Sequence, residues 1–152
     1  MVRSMFAAGA FVLASWLVPA GAAEYEVRML NHGPDGMMMQ FSPQLLKIAP
    51  GDSVHFVAVD KGHNAQSIDG MLPPGAKPFS GPMGEDFTLT LTEPGVYGYR
   101  CSPHGTLGMV GLIVVGKPVN EDAAKSAALP GTAGHVFAKL FQNLDSDRTA
   151  EK

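Results

Sequence analysis

The chain has 152 residues, a formal net charge of −3 and a hydrophobic content of 45%. These values fit one ordinary domain with a single core. The lack of a long basic run argues against nucleic-acid binding. The single cysteine excludes an internal disulfide framework, so its thiol is expected to be reactive, to pair with another molecule or to bind a metal.

The first 22 residues have the three parts of a secretory signal peptide. Arg3 supplies the positive charge, residues 5–18 form an apolar run, and residues 20–22 are small, as a cleavage site requires. The apolar run is shorter than the roughly 20 residues that a membrane-spanning helix needs. We therefore predict cleavage after Ala22, export of the remaining chain, and no membrane attachment after cleavage.

Six short segments beyond the signal have the composition and periodicity of β-strands. Segments 24–30 and 86–92 alternate apolar with polar residues, which indicates one buried and one exposed face. The others are β-rich or apolar runs, several of them entered through Pro- and Gly-containing turns. Together they predict an all-β sandwich of two packed sheets. The six segments are 24–30, 45–48, 53–59, 86–92, 96–100 and 109–115.

The C-terminal part of the chain changes to a helical period. Residues 132–144 carry one apolar stripe and begin at Thr132, a suitable N-cap. Residues 120–128 predict a weaker helix with Asn120 as its cap. We expect both helices to cover the sandwich and the polar chain after Leu144 to be frayed.

Three potential ligands for a soft metal lie within nine residues, in a segment that joins two predicted strands. Cys101, His104 and Met109 offer a thiolate, an imidazole and a thioether, the set that suits copper cycling between Cu(I) and Cu(II). His63, after the 53–59 strand, offers the second imidazole. A lone cysteine or methionine is often only a buried apolar residue. Here the segment is rich in Gly and Pro rather than periodic, which favours the metal.

Other functions explain fewer of these residues. A cysteine hydrolase could use Cys101 and His104, but it would leave Met109 and His63 without a role. The Met37–Met39 triplet allows a copper-chaperone interpretation, although it is more simply apolar surface. Asn64, next to His63, either joins the two ligand loops or is an ordinary turn residue.

The chain resembles the cupredoxins and, among them, the pseudoazurins. The resemblance lies in segments that span most of the exported chain, and the two C-terminal helices favour pseudoazurins over plastocyanins. It implies a Greek-key β-sandwich at 23–117, following the 1–22 signal, with 118–152 as a helical extension of the same domain. The shared segments are 29–31, 50–52, 60–64, 94–97, 101–104 and 108–110.

The resemblance also implies a role for each candidate ligand. His63, Cys101 and His104 would be equatorial ligands of one type 1 copper ion, and Met109 would be the long axial ligand. The implied function is one-electron transport in the periplasm rather than catalysis. The implied partners are transient ones, a denitrification-type reductase or a cytochrome c, and the carrier itself would be a monomer.

Overall fold

The computed structural model describes residues 21–150. The predicted signal peptide therefore lies almost entirely outside the described residues. Within residues 21–150, no helix combines the length and the apolar character needed to cross a membrane.

Eight strands form two four-stranded sheets, which confirms the predicted all-β sandwich. One sheet has the order β2-β1-β4-β6 and the other has the order β3-β8-β7-β5. β1 pairs in parallel with β4 and antiparallel with β2, whereas β2 and β3, which follow each other in the chain, lie in different sheets. The strands are β1 Glu24–His32, β2 Met38–Ser42, β3 Leu45–Ile48, β4 Ser53–Val57, β5 Gln66–Ser67, β6 Phe87–Thr90, β7 Gly95–Arg100 and β8 Val110–Val115.

All six predicted strands are present, with ends that differ by no more than two residues. β2 and β5 were not predicted. β5 has only two residues, too few for a period to be visible. β2 lacks alternation, and Met39 within it has a left-handed backbone with φ of 53°. A left-handed backbone is unusual for a residue with a side chain, and it interrupts the regular alternation of inward and outward side chains. The sequence of β2 therefore does not show the period of a strand.

The space between the sheets is filled by an aromatic cluster. The Tyr99 ring lies 4.8 Å from Phe41 and 5.3 Å from Phe56, measured between ring centroids in edge-to-face arrangements. Gly111 faces Tyr99 across the β7–β8 pairing, and a Cβ atom at position 111 would collide with the Tyr99 ring. Gly111 interrupts the apolar sequence of β8, and its lack of a side chain leaves room for the Tyr99 ring.

The two C-terminal helices, α1 Glu121–Lys125 and α2 Ala133–Ala150, cover the outer face of the second sheet, as predicted. The outward side chains of β7 and β8 meet the apolar stripe of α2 in a second core layer. That layer includes Val96, Val110, Leu112 and Val114 from the strands and Val136, Phe137, Leu140, Phe141 and Leu144 from α2.

The prediction that the chain frays after Leu144 is wrong, because α2 continues to Ala150. Its last turns are held by ion pairs to other elements. Arg148 lies 2.7 Å from Glu121 of α1, Asp145 lies 3.2 Å from Lys125, and Asp147 lies 2.9 Å from Lys47 of β3. These contacts stabilise a segment that has few apolar residues of its own.

The prediction that the Asn120 side chain caps α1 is also wrong. Asn120 precedes α1, but its side chain makes no capping hydrogen bond. Its Oδ1 accepts from the Val96 N–H at 2.7 Å, and its Nδ2 donates to the Val96 carbonyl at 2.9 Å. The side chain of Asn120 therefore joins the helical extension to the start of β7 instead of capping α1.

Candidate metal centre

The loop between β7 and β8 carries three of the predicted ligands. Cys101 follows β7 directly, and Met109 precedes β8 directly. The Cys101 N–H donates to the Met109 carbonyl at 3.0 Å, and the Met109 N–H donates to the His104 carbonyl at 3.2 Å. These two hydrogen bonds hold the backbones of the three residues together at one end of the sandwich.

His63 lies in the connection between β4 and β5, which belong to different sheets. Its side chain reaches the β7–β8 loop and completes a cluster of donor atoms. The Nδ1 atoms of His63 and His104 are 3.1 Å apart, and they lie 3.7 and 3.5 Å from the Cys101 Sγ. A trigonal metal with bonds of about 2.0 Å to nitrogen and 2.3 Å to sulfur needs separations of roughly 3.5 to 3.8 Å. The donors therefore fit a mononuclear metal with only small adjustments.

The four candidate ligands differ in how far they are buried. His63, Cys101 and Met109 are completely buried, whereas His104 is partly exposed. Burial lowers the pKa of His63, and the adjacent His104 ring lowers it further, so the imidazole stays neutral and able to ligate. Burial raises the pKa of the Cys101 thiol, so the thiolate needs a cation to stabilise it.

Comparison with known proteins assigns the family. The model of copper-binding proteins of the plastocyanin/azurin family matches residues 27–116. A pseudoazurin from Paracoccus pantotrophus is 46% identical over 134 residues, covering 88% of this chain and 92% of the relative. The solved pseudoazurin structure from Sinorhizobium meliloti is 45% identical, has a TM-score of 0.80, and covers 82% of this chain and 98% of its own. The chain belongs to the pseudoazurin family.

Pseudoazurins are electron carriers that hold one type 1 copper ion, and they are not enzymes; this chain shares that coarse function. The similarity to plastocyanins is weaker. The plastocyanin from Oryza sativa subsp. indica is 32% identical, with 72% of this chain and 74% of the relative covered. The pseudoazurin assignment therefore agrees with the one that the sequence motifs and C-terminal helices indicated.

Asn31, near the end of β1, orients the imidazole ring of His63. The Asn31 Oδ1 lies 2.9 Å from the His63 Nε2, so Nε2 carries the hydrogen and Nδ1 keeps its lone pair toward Cys101 and His104. The Asn31 N–H in turn donates to the Asp60 carboxylate at 2.7 Å. No role was predicted for Asn31, although asparagine is uncommon in strands and this one follows the point where the β1 alternation ends.

Asn64 connects the two loops that carry the candidate ligands. Its Oδ1 accepts from the Ser102 N–H at 2.9 Å, and its Nδ2 donates to the Gly81 carbonyl at 3.3 Å. The side chain is buried. These contacts favour the linking role over that of an ordinary turn residue.

Exposed apolar side chains lie on the loops around His104 and His63. Leu107 is 63% exposed and Met83 is 50% exposed, and the neighbouring Pro82 and Pro103 are also exposed. We call these four residues the apolar rim. Among residues 21–150, no second group of three or more histidine, cysteine or carboxylate side chains forms a comparable cluster.

Replacing Asn31 with leucine tests the orientation of His63. The His63 Nε2–H would lose its acceptor in a buried position. Loss of the hydrogen-bond partner of a metal-binding histidine typically lowers metal affinity by about 10- to 100-fold. We expect the Asn31→Leu variant to bind copper that much more weakly in competition with a chelator. Asn143→Leu, on the exposed face of α2, is the matched control. Equal affinities in the two variants would contradict the role of Asn31.

Proposed function

We propose that His63, Cys101, His104 and Met109 are the ligands of the copper ion in this protein. The separations of 3.1, 3.5 and 3.7 Å among two imidazole nitrogens and one sulfur are the observation that carries the proposal. Met109 is the fourth ligand because its backbone is bonded to both Cys101 and His104 and its side chain is buried in the same core cluster as Cys101.

The copper supplies a one-electron couple when bound, and the protein residues limit how much the site rearranges. His63 is held by Asn31, and Asn64 joins the loops of His63 and Cys101. Cys101 and Met109 are fixed between two paired strands. Ligands on such a rigid β scaffold change position little when the metal changes charge, which favours fast electron exchange.

The electron leaves and enters through His104, the one candidate ligand that is partly exposed. The apolar rim around it forms a surface suited to brief contact with a partner. We expect an interface smaller than about 1,200 Å², as is usual for weak redox encounters. The partners are a denitrification-type reductase as acceptor and a cytochrome c or similar protein as donor.

The periplasm is the proposed location. The signal-like pattern of residues 1–22 supports export, and a single thiol that binds copper is protected in an oxidising compartment. The exported chain is a monomer with one domain, made of the sandwich at 23–117 and the helical extension at 118–152. The joint second core layer and the Asn120–Val96 bonds support treating the extension as part of that domain.

A visible spectrum of the oxidised, copper-loaded protein tests the proposed site. A thiolate bound to Cu(II) would produce an intense blue charge-transfer band that disappears on reduction and returns on reoxidation. Copper binding without an intense band would contradict Cys101 as a ligand, and a chaperone that holds Cu(I) would give that result.

Met109→Gln tests the axial position. An amide oxygen is a harder ligand than a thioether, so it favours Cu(II) over Cu(I) and lowers the reduction potential. We expect a fall of about 60 mV or more, which corresponds to a tenfold change for a one-electron couple. Met83→Gln, on an exposed side chain of the apolar rim, is the matched control. An unchanged potential would remove Met109 from the axial role.

Leu107→Asp tests the proposed route of the electron. A carboxylate at this exposed position would be desolvated without a partner when the apolar rim is covered. We expect electron exchange with a c-type cytochrome to slow by about tenfold, equivalent to 1.4 kcal/mol, while the visible spectrum stays the same. Stopped-flow mixing measures the rate.

The control for Leu107→Asp is Val119→Asp. Val119 is 69% exposed, and it adjoins Asn120, which bonds the start of β7, the end opposite Cys101. Both variants add the same charge to an exposed apolar position. Equal rates for the two variants would place the exit of the electron elsewhere.

A further inference from the structure

The carboxylate of Asp52 is buried, with 6% of the residue exposed. Its Oδ2 accepts from the Ala49 N–H at 2.8 Å, and its Oδ1 accepts from the Ala23 N–H at 2.8 Å. Within residues 21–150, no lysine, arginine or histidine side chain forms an ion pair with Asp52. Both oxygens have a hydrogen-bond donor, but the negative charge has no positively charged partner among these residues, which is unusual for a buried carboxylate.

Ala23 is the point at which the chain joins the sheet. Its carbonyl accepts from the Ser53 N–H at 2.8 Å, and β1 begins with the next residue, Glu24, paired with Ser53. Gly21 and Ala22 are exposed, and a Cβ atom on Gly21 would meet nothing within 4 Å. The contacts of the strand therefore begin at the residue that follows the predicted cleavage site.

We propose that cleavage after Ala22 supplies a positively charged partner, because the new α-ammonium group of Ala23 forms an ion pair with the Asp52 carboxylate. This inference rests on the proposed export of the chain. An export peptidase would add one water molecule across the Ala22–Ala23 peptide bond, leaving a carboxylate on Ala22 and an ammonium on Ala23. The nitrogen that is a neutral amide donor in the uncleaved chain then becomes a charged donor to the same carboxylate oxygen.

The ion pair would stabilise the strand that orients a ligand. A charged donor makes a shorter and roughly twice stronger hydrogen bond to a carboxylate than a neutral one does. β1 runs from this contact to Asn31, whose side chain bonds to His63. Processing thus completes the fold at one end of the strand whose other end lies at the copper site.

The test compares two chains that differ only in the two residues Gly21 and Ala22 at the N-terminus. One begins at Ala23 and the other at Gly21, both made with the initiating methionine removed enzymatically. We expect the copper-free Ala23 chain to have an unfolding equilibrium constant about five- to tenfold smaller than the Gly21 chain, in keeping with the gain from a charged donor. Equal constants would overturn the proposal.

Asp52→Asn, introduced into both chains, identifies the partner. The difference between the two chains should disappear in this background and persist with Asp69→Asn, which removes an exposed carboxylate. A difference that persists in Asp52→Asn would overturn the proposal. Asp52→Asn also alters the acceptor of the hydrogen bond from the Ala49 N–H. If the variant does not fold, a second measurement on the wild-type chains takes its place.

That measurement is the rate at which an amine-reactive ester labels the α-amino group, read by mass spectrometry of the N-terminal peptide. A paired and protonated amine reacts slowly, so the Ala23 chain should be labelled several-fold more slowly than the Gly21 chain. Equal rates would overturn the ion pair. The mass of the exported protein tests the link to processing separately, since any first residue other than Ala23 would overturn it. Neither result depends on copper binding or electron transfer.

Discussion

We expect the Cys101→Ser variant to lose the blue colour of the copper-loaded protein completely. The Cys101 Sγ lies 3.5 and 3.7 Å from the two histidine Nδ1 atoms, so it occupies one corner of the donor triangle. Serine has nearly the same size but offers a hard, neutral hydroxyl in place of the soft thiolate. The charge-transfer band has no other source, since the chain has one cysteine.

The visible spectrum after addition of Cu(II) measures this effect, and thermal unfolding of the copper-free protein shows whether the fold is kept. Ser102→Ala is the control, because Ser102 is the exposed neighbour of Cys101 and its hydroxyl bonds only to Gln66 among the described residues. This control should remain blue. An intense band of unchanged energy in Cys101→Ser would show that the sulfur is not a ligand.

Phe137→Ala should be the most destabilising single change in the helical extension. Phe137 is 3% exposed and lies in the second core layer, between α2 and the outer face of the β3-β8-β7-β5 sheet. Truncating a buried phenylalanine removes its burial energy and leaves a cavity, which together cost about 3 to 5 kcal/mol. The free energy of unfolding of the copper-free protein, from denaturant titration, should fall by that amount.

The copper spectrum of folded Phe137→Ala should stay the same, because Cys101 and Met109 belong to the other core cluster and the two candidate histidines lie beside Cys101. Gln142→Ala, on the exposed face of α2, should change stability by no more than about 0.5 kcal/mol. A loss smaller than about 1 kcal/mol for Phe137→Ala would mean that α2 contributes little to the fold.

Local patterns predicted most of the sandwich and the candidate site. The alternation in 86–92 shows which face of β6 is buried, because a strand places successive side chains on opposite sides. The spacing of Cys101, His104 and Met109 predicted a metal loop, because a loop between two paired strands must bring its ends together. The structure brings the donor atoms of His63, Cys101 and His104 together, as predicted, whereas the ligand roles of these three residues and of Met109 remain predictions.

Contacts between distant residues decided the features that the sequence did not reveal. α2 continues past Leu144 because Arg148 pairs with Glu121, 27 residues away. Asn31 orients His63 across a separation of 32 residues, and Asn120 bonds to Val96 instead of capping α1. Hydrophobic periodicity depends on neighbours within a few positions, so it records which face of an element is buried. The polar partner of a side chain depends on which elements the folded chain brings together, and only the tertiary structure determines that.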